Sequence, residues 1–200
     1  MDLLQLQQQL LNHAEPAPSW PPAHWQPPFC GDLPIRISRD GQWFYQNSPI
    51  KRPELIKLFS TVLHCQQGQY LLTTPVESVR IQVEDAPFVL IDWQWIDSEQ
   101  GPQLQVRDNI DRLYLIGSEY PVQLQAEPGT GQFLPYLQLS RGLTAKFSRN
   151  CYYQLAAQAQ LIEGEHGDFF VLQSGGYQAV LATQPPDGSE LNSAMASSPT

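Results

Sequence analysis

The sequence has 200 residues, a formal net charge of −9 and a pI near 4.7, which argue against an extended nucleic-acid-binding surface, because such a surface needs a surplus of Lys and Arg. A composition of 42% hydrophobic and 16% charged residues is typical of globular proteins and excludes a disordered or fibrous chain. The three cysteines form no C-x-x-C pair, and no apolar run approaches the roughly 20 residues of a membrane span. We therefore expect a cytoplasmic protein with free thiols.

Residues 1–32 are expected to form a short helix and a proline-rich arm. Leucines recur among glutamines in residues 2–11, as in an amphipathic helix. Residues 15–28 combine prolines with Trp20 and Trp25, which favours an extended path. This arm either packs across its own domain or serves as a ligand for a proline-binding domain.

A first α+β unit is expected at residues 33–90. Alternating apolar residues on both sides of an Asp-Gly turn predict a hairpin. A helix is expected at residues 53–64, because Pro53 suits a first helical position and apolar residues then recur with helical spacing. Gly68 is expected to end this helix, and strands are expected at residues 70–73, 79–83 and 88–95.

A second unit is expected at residues 91–182, followed by a disordered tail at residues 183–200. Strands are expected within residues 104–116 around Asp108-Asn109, and a hairpin is expected around Arg141-Gly142. A helix at residues 150–159 then precedes strands at residues 169–172 and 178–181.

The two helix regions suggest an internal repeat. Aligning the segment that begins at Ile50 with the one that begins at Phe147 places Arg52 on Arg149. Gly68 and Gly167 then precede similar apolar runs. The pattern predicts two fused α+β units, each a small antiparallel sheet with one helix packed across it, although two weak copies can also arise by chance.

Several segments together resemble the bacterial family called domain of unknown function 1285 over residues 33–180. They are Trp43-Phe44-Tyr45, Ser48-Pro49-Ile50, Arg52, the Leu-x-x-Leu-Phe run, Thr74-Pro75-Val76-Glu77 and Glu84-Asp85-Ala86-Pro87-Phe88. The resemblance implies a duplicated α+β fold whose C-terminal half is loosely like pleckstrin-homology folds. It also implies a ligand site between the halves for a nucleotide-like molecule in signalling, and no established activity. Asn109 and Asp111 resemble a polar element that the family carries.

The candidate binding residues centre on the two helix starts, where free N–H groups and a partial positive charge attract anions. Four basic residues are candidates for holding the anionic group: Lys51, Arg52, Arg80 and Arg149. Four aromatic residues are candidates for stacking on a base: Trp43, Tyr45, Tyr136 and Tyr152. For Arg52 the alternative is a salt bridge to Glu77, Glu84 or Asp85, and for Arg80 it is a surface ion pair of little energetic value.

No catalytic or metal-binding pattern is expected. The spacing of Glu77, Glu84, Asp85, Asp108 and Asp111 matches no known ligand loop, which favours solvated or salt-bridged surface carboxylates. The four histidines form no zinc pattern, and the chain has no G-x-S-x-G elbow and no P-loop. Cys151 lies among apolar neighbours, so we expect an unreactive thiol. We expect no cofactor.

Our leading hypothesis is therefore a non-enzymatic module that binds a small ligand or acts as a sensor, with a nucleotide-like anion held between the two units. A protein-protein interaction scaffold without a small ligand is the alternative, and an uncharacterised hydrolase ranks third. No membrane or extended nucleic-acid partner is expected.

Overall fold

The computed structural model describes residues 26–164 and 167–184, together with Gln8. The predicted N-terminal helix, most of the proline-rich arm and the predicted tail from residue 185 onward lie outside the described residues. The described helices are α1 (Pro53–Val62) and α2 (Arg149–Ala156). Neither of them is long and apolar enough to span a bilayer.

The chain separates into two compact units. The first contains the described residues up to Val89, together with Asn109–Asp111 and Leu139–Ala145. The second contains Leu90–Asp108, Arg112–Gln138 and the described residues from Lys146 onward. The four-part division predicted from the sequence stays a prediction.

The first unit is built on a six-stranded sheet. Its strands are β1 (Phe29–Ile37), β2 (Trp43–Tyr45), β3 (Ser48–Pro49), β4 (Leu63–Gln66), β5 (Gln69–Thr73) and β6 (Ser78–Val83). The spatial order is β3-β2-β1-β6-β5-β4. The predicted Asp40-Gly41 hairpin is confirmed, since β1 and β2 pair antiparallel. In contrast, β1 and β6 pair in parallel, so the sheet is mixed rather than purely antiparallel as expected.

One face of this sheet and one face of α1 form the core of the first unit. The helix has the predicted apolar stripe, and Phe59 is fully buried with its ring 6.3 Å from the ring of Trp43. Alternate residues of β1 and β6 complete the core, as the period of a strand requires. The other buried apolar side chains include Leu33, Ile35, Ile37, Leu55, Val62, Leu72, Val79 and Ile81.

The predicted extent of the first helix is wrong at its C-terminal end. The helix ends at Val62, and the next residues form β4, which pairs with β5. Gln67 and Gly68 connect these strands with φ of 52° and 76°, which fits a two-residue hairpin turn. Gly68 is thus a turn residue rather than a helix stop, and strand pairing overrides the local apolar pattern that suggested a longer helix.

The second unit contains two sheets, where a single small sheet was expected. The larger sheet consists of β7 (Phe88–Ile96), β8 (Gln103–Asp108), β9 (Leu113–Leu115), β10 (Val122–Ala126), β11 (Phe133–Gln138) and β12 (Thr144–Phe147). The first two residues of β7 and of β12 are assigned to the first unit. Its order is β10-β11-β12-β7-β8-β9. The smaller sheet has the order β13-β14-β15, with β13 (Gln160–Ile162), β14 (Asp168–Ser174) and β15 (Tyr177–Gln184).

Helix α2 is attached to β7 by two tryptophans. The indole Nε1 of Trp93 donates to Oε1 of Gln154 at 2.9 Å, and that of Trp95 donates to Oε1 of Gln158 at 3.0 Å. Leu155, on the buried side of the helix, is fully buried. The helix is three residues shorter than predicted at its C-terminal end, because Gln160 already belongs to β13.

The duplicated α+β plan is visible in the order of elements. Each helix is followed by a short edge strand and then by a strand that begins directly after a glycine with positive φ. These glycines are Gly68 before β5 (φ 76°) and Gly167 before β14 (φ 127°). The predicted α+β class with two similar units is confirmed, whereas the likeness of the second unit to pleckstrin-homology folds stays a prediction.

Candidate functional site

The start of α1 carries two exposed basic side chains, Lys51 and Arg52. Arg52 is the N-cap residue, with extended backbone angles (φ −94°, ψ 107°) and no side-chain capping bond, as expected for a poor N-cap. Its carbonyl oxygen accepts from the N–H of Leu55 at 3.2 Å. Within the described residues, neither basic side chain has a hydrogen bond or an ion pair, so the salt bridge of Arg52 to Glu77, Glu84 or Asp85, which was the alternative to ligand binding, does not form.

The start of α2 is built differently. Its N-cap is Ser148, whose hydroxyl oxygen accepts from the N–H of Cys151 at 3.3 Å. Arg149 is exposed and is the first helical residue, one position later than Arg52 in α1. The alignment of Arg52 with Arg149 is therefore corrected by one residue, because a hydroxyl side chain can cap a helix and a guanidinium cannot.

Arg80 forms the surface ion pair that was the alternative to ligand binding. Its Nε and Nη2 donate to the two carboxylate oxygens of Asp32 at 2.6 and 2.9 Å. These hydrogen bonds lower the pKa of Asp32 below its usual range. The guanidinium carbon also lies 6.0 Å from the centre of the Phe29 ring. Arg80 therefore already has a carboxylate partner.

Two of the four aromatic candidates are buried. Trp43 is completely inaccessible and Tyr136 is 3% exposed, so neither offers a ring face to a ligand, which corrects the expectation that they stack on a base. Tyr45 and Tyr152 are partly accessible. Burial raises the pKa of Tyr152, whose ring lies 5.7 Å from that of Tyr153.

Asn109 and Asp111 hold the first unit together. The side-chain oxygen of Asn109 accepts from the N–H of Val89 at 3.1 Å, and its Nδ2 donates to the carbonyl of Gly41 at 3.0 Å. Asp111 adopts a left-handed conformation (φ 68°) and accepts from Nζ of Lys57 at 3.0 Å. An amide suits position 109 because it supplies a donor and an acceptor at once.

Asp108 is fully buried, which corrects the expectation of a solvated or salt-bridged surface carboxylate. It accepts from Nε of Arg112 at 2.8 Å, from the backbone N–H of Arg112 at 2.9 Å and from the hydroxyl of Tyr114 at 3.2 Å. Such a carboxylate is tolerated in a protein interior because its oxygens are bonded and its charge is paired. It fixes the turn between β8 and β9.

His64, the last residue of the helix predicted at residues 53–64, is a buried polar residue that the sequence pattern does not single out. This residue lies in β4 and is 5% exposed, and its Nε2 lies 2.8 Å from the hydroxyl oxygen of Thr73. Thr73 in turn lies 2.8 Å from the hydroxyl of Ser78. Alternation along β4 would place His64 on the face opposite the buried Leu63, so the sequence pattern gives no signal for its burial.

The expected lack of reactivity at Cys151 agrees with its surroundings. Burial raises the pKa of this thiol to about 12, which leaves it protonated at neutral pH. Among the described residues, no three His, Cys, Asp or Glu side chains lie close enough together to hold a metal ion.

Comparison with known families and structures assigns the chain to a family. The N-terminal domain model of the domain of unknown function DUF1285 matches residues 21–86, and the C-terminal domain model matches residues 87–181. The chain belongs to the DUF1285 family. The family boundary at residue 87 lies next to Val89, where the first unit's N-terminal segment ends.

Two solved DUF1285 structures are similar to this chain. A family protein from Silicibacter pomeroyi is 35% identical with a TM-score of 0.73, and the match covers 91% of this chain and 95% of that chain. Another from Shewanella baltica is 31% identical with a TM-score of 0.51, covering 64% of this chain and 94% of that chain. No curated protein matches the chain.

Proposed function

We propose that this DUF1285 protein is a non-enzymatic binding or sensor module for a small anionic ligand, with Arg52 as the main cationic contact. The observation that carries the proposal is the pair of exposed basic side chains at the start of α1, which have no partner among the described residues. A helix start adds partial positive charge from its peptide dipoles, so the side chains and the backbone attract the same kind of group.

The other arginines rank below Arg52 on physical grounds. Arg80 would have to give up its bonds to Asp32 before it held a ligand. Arg149 is exposed, but the hydroxyl of Ser148 already satisfies one N–H donor at its helix start. A nucleotide-like ligand, a signalling role and a cytoplasmic location are parts of the same proposal, with Tyr45 as the stacking residue for a base in the first unit.

The test is a thermal-shift screen of the full chain with inorganic phosphate and with mono-, di- and cyclic nucleotides. At a concentration one hundred times its Kd, a ligand adds about 2.7 kcal/mol of stability. For a chain of this size that corresponds to a rise in Tm of about 5–10 °C. We expect Arg52→Ala to abolish this shift.

Arg36→Ala is the matched control, because it removes the same charge from an arginine that is paired with Glu84. It should retain the shift. An equal loss of the Tm shift in both variants would mean that net charge alone attracts the anion. The absence of a Tm shift with every compound would overturn the proposal.

The alternative function, a protein-protein interaction scaffold, is favoured by exposed apolar side chains on edge strands. Leu113 in β9 is 57% exposed and Leu161 in β13 is 53% exposed, and both strands lie at the ends of their sheets. Such edges can accept a further strand from a partner. A partner captured by the native chain and by Arg52→Ala, but lost with Leu113→Lys, would favour the scaffold. The hydrolase hypothesis stays a prediction.

A further inference from the structure

A chain of three polar side chains runs across β4, β5 and β6 in the first unit. His64 Nε2 lies 2.8 Å from Thr73 Oγ1, which lies 2.8 Å from Ser78 Oγ. His64 and Thr73 are only 5% and 3% exposed, whereas Ser78 is partly accessible. These three hydrogen-bonded side chains therefore connect a buried titratable ring to a hydroxyl near the surface.

The surroundings of His64 oppose a positive charge on its ring. Burial lowers its pKa, and the positive charge of Arg141, from the short 3₁₀ turn at Ser140–Gly142, lowers it further. On the neighbouring strand β5, the residue opposite His64 is the apolar Leu71. Further along the same row are Arg80 of β6 and Asp32 of β1, which pair with each other. The titratable pair Cys65 and Tyr70 belongs to the other face of the same hairpin, because successive side chains alternate between faces.

In the neutral tautomer that carries its proton on Nδ1, protonation of Nε2 reverses the hydrogen bonds of the three side chains. In the other tautomer Nε2 already donates to Thr73, and protonation adds only the positive charge. When Nε2 carries no proton, it accepts from the hydroxyl of Thr73, whose oxygen accepts from Ser78. When Nε2 is protonated, it must donate to the oxygen of Thr73, and both hydroxyl protons turn toward the surface. In either tautomer, protonation leaves a charged imidazolium in a buried site that is also close to the positive charge of Arg141.

Release of strand β4 can relieve the free-energy penalty of a buried, charged His64. This strand is the last of its sheet and pairs only with β5 among the described strands. Its release breaks the bonds of one hairpin and exposes the charged ring to water, whereas the interior strands are held on both sides. Release of β4 also frees the fully buried Leu63 and breaks the close contact between Gly142 and the carbonyl of Cys65, so the free energy of opening includes these contacts.

We propose that His64, Thr73 and Ser78 form an acid-sensitive latch, in which a neutral His64 holds β4 on β5 and protonation of His64 releases this edge strand. The latch is independent of anion binding at Arg52. The direction of the effect follows from linkage. Above the unfolded pKa of about 6.5, both states are neutral at this residue and it has no pH effect. As the pH falls below that value, the open state gains a proton first and opening becomes easier.

The test is NMR on the full chain between pH 7.5 and pH 5. We expect the His64 ring to titrate below 6.5. Amide exchange in β4 and β5, corrected for the intrinsic rate, should accelerate about tenfold for each pH unit between the open-state and closed-state pKa values, because one proton is taken up. Amides of β1 and β6 should keep their protection.

His64→Gln supplies the matched variant, since glutamine offers a polar group to Thr73 but takes up no proton. Its β4 amides should exchange with no acid acceleration. A His64 ring that titrates at or above 6.5, acceleration spread evenly over the sheet, or acceleration that persists in His64→Gln would each overturn the latch. The ring titration and the amide exchange of β4 and β5 both use the native chain, so together they decide the question even if the variant fails to fold.

Discussion

The two helix-and-hairpin copies share a plan but differ at both ends of the helix. Helix α1 begins at an uncapped Arg52 and passes directly into β4, whose first two residues, Leu63 and His64, are buried. Helix α2 begins at a hydroxyl-capped turn, and the strand that follows it, β13, is exposed along its whole length. Duplication has thus preserved the backbone order while the local chemistry diverged. A free cationic helix start and a buried histidine occur together in the first copy.

The largest difference in the free energy of unfolding is expected between substitutions on the two faces of α1. Phe59→Ala removes a fully buried ring that packs on Trp43, and should lower the free energy of unfolding by about 3–5 kcal/mol. Lys57→Ala, on the exposed face of the same helix, should change it by about 0.5 kcal/mol or less. Chemical denaturation measures both, and equal effects would contradict the assigned core.

A moderate difference in the free energy of unfolding is expected between substitutions at the two helix starts. Ser148→Ala removes a capping bond and should cost about 1 kcal/mol. Arg52→Ala removes none and should change stability by about 0.5 kcal/mol or less. A further variant, Arg52→Ser, should stabilise α1 if its N-cap lacks only a suitable acceptor. If Arg52→Ala proves as costly as Ser148→Ala, the description of Arg52 as a free side chain fails.

A small effect on stability is expected at the outer face of α2, in contrast to its buried face. Tyr153 is 55% exposed, and Tyr153→Ala should change the free energy of unfolding by about 0.5 kcal/mol or less. Leu155→Ala, two positions later and fully buried, should cost about 2–5 kcal/mol. The same denaturation experiment compares the two, and a costly Tyr153→Ala would mean that this ring packs against another surface in solution.

Much of the fold was predictable because it depends on short-range patterns. Alternating residues located β1 and β6, the Asp40-Gly41 turn located the first hairpin, and Pro53 located the start of α1. The exact ends of the helices were not predictable. A short run such as Leu63-His64-Cys65 is compatible with a helix or a strand, and only the pairing partner decides between them.

The candidate site was only partly predictable, because sequence identifies charge but not its partners. The exposure and the poor capping of Arg52 follow from residue type and position. The pairing of Arg80 with Asp32 joins residues 48 positions apart, and the burial of Asp108 depends on strand packing. Trp43 fits a ligand-stacking role by type alone, and its inaccessibility emerged only with α1 packed over it.

By itself, the sequence determined the family, the duplicated α+β plan and the existence of basic helix starts, since these depend on local residue order and backbone preference. Tertiary structure decided which charges are paired, which aromatic rings are buried and that His64 connects to Ser78. The physical reason is that burial and hydrogen bonding are properties of neighbours in space, and in a sheet protein those neighbours come from strands far apart in the chain.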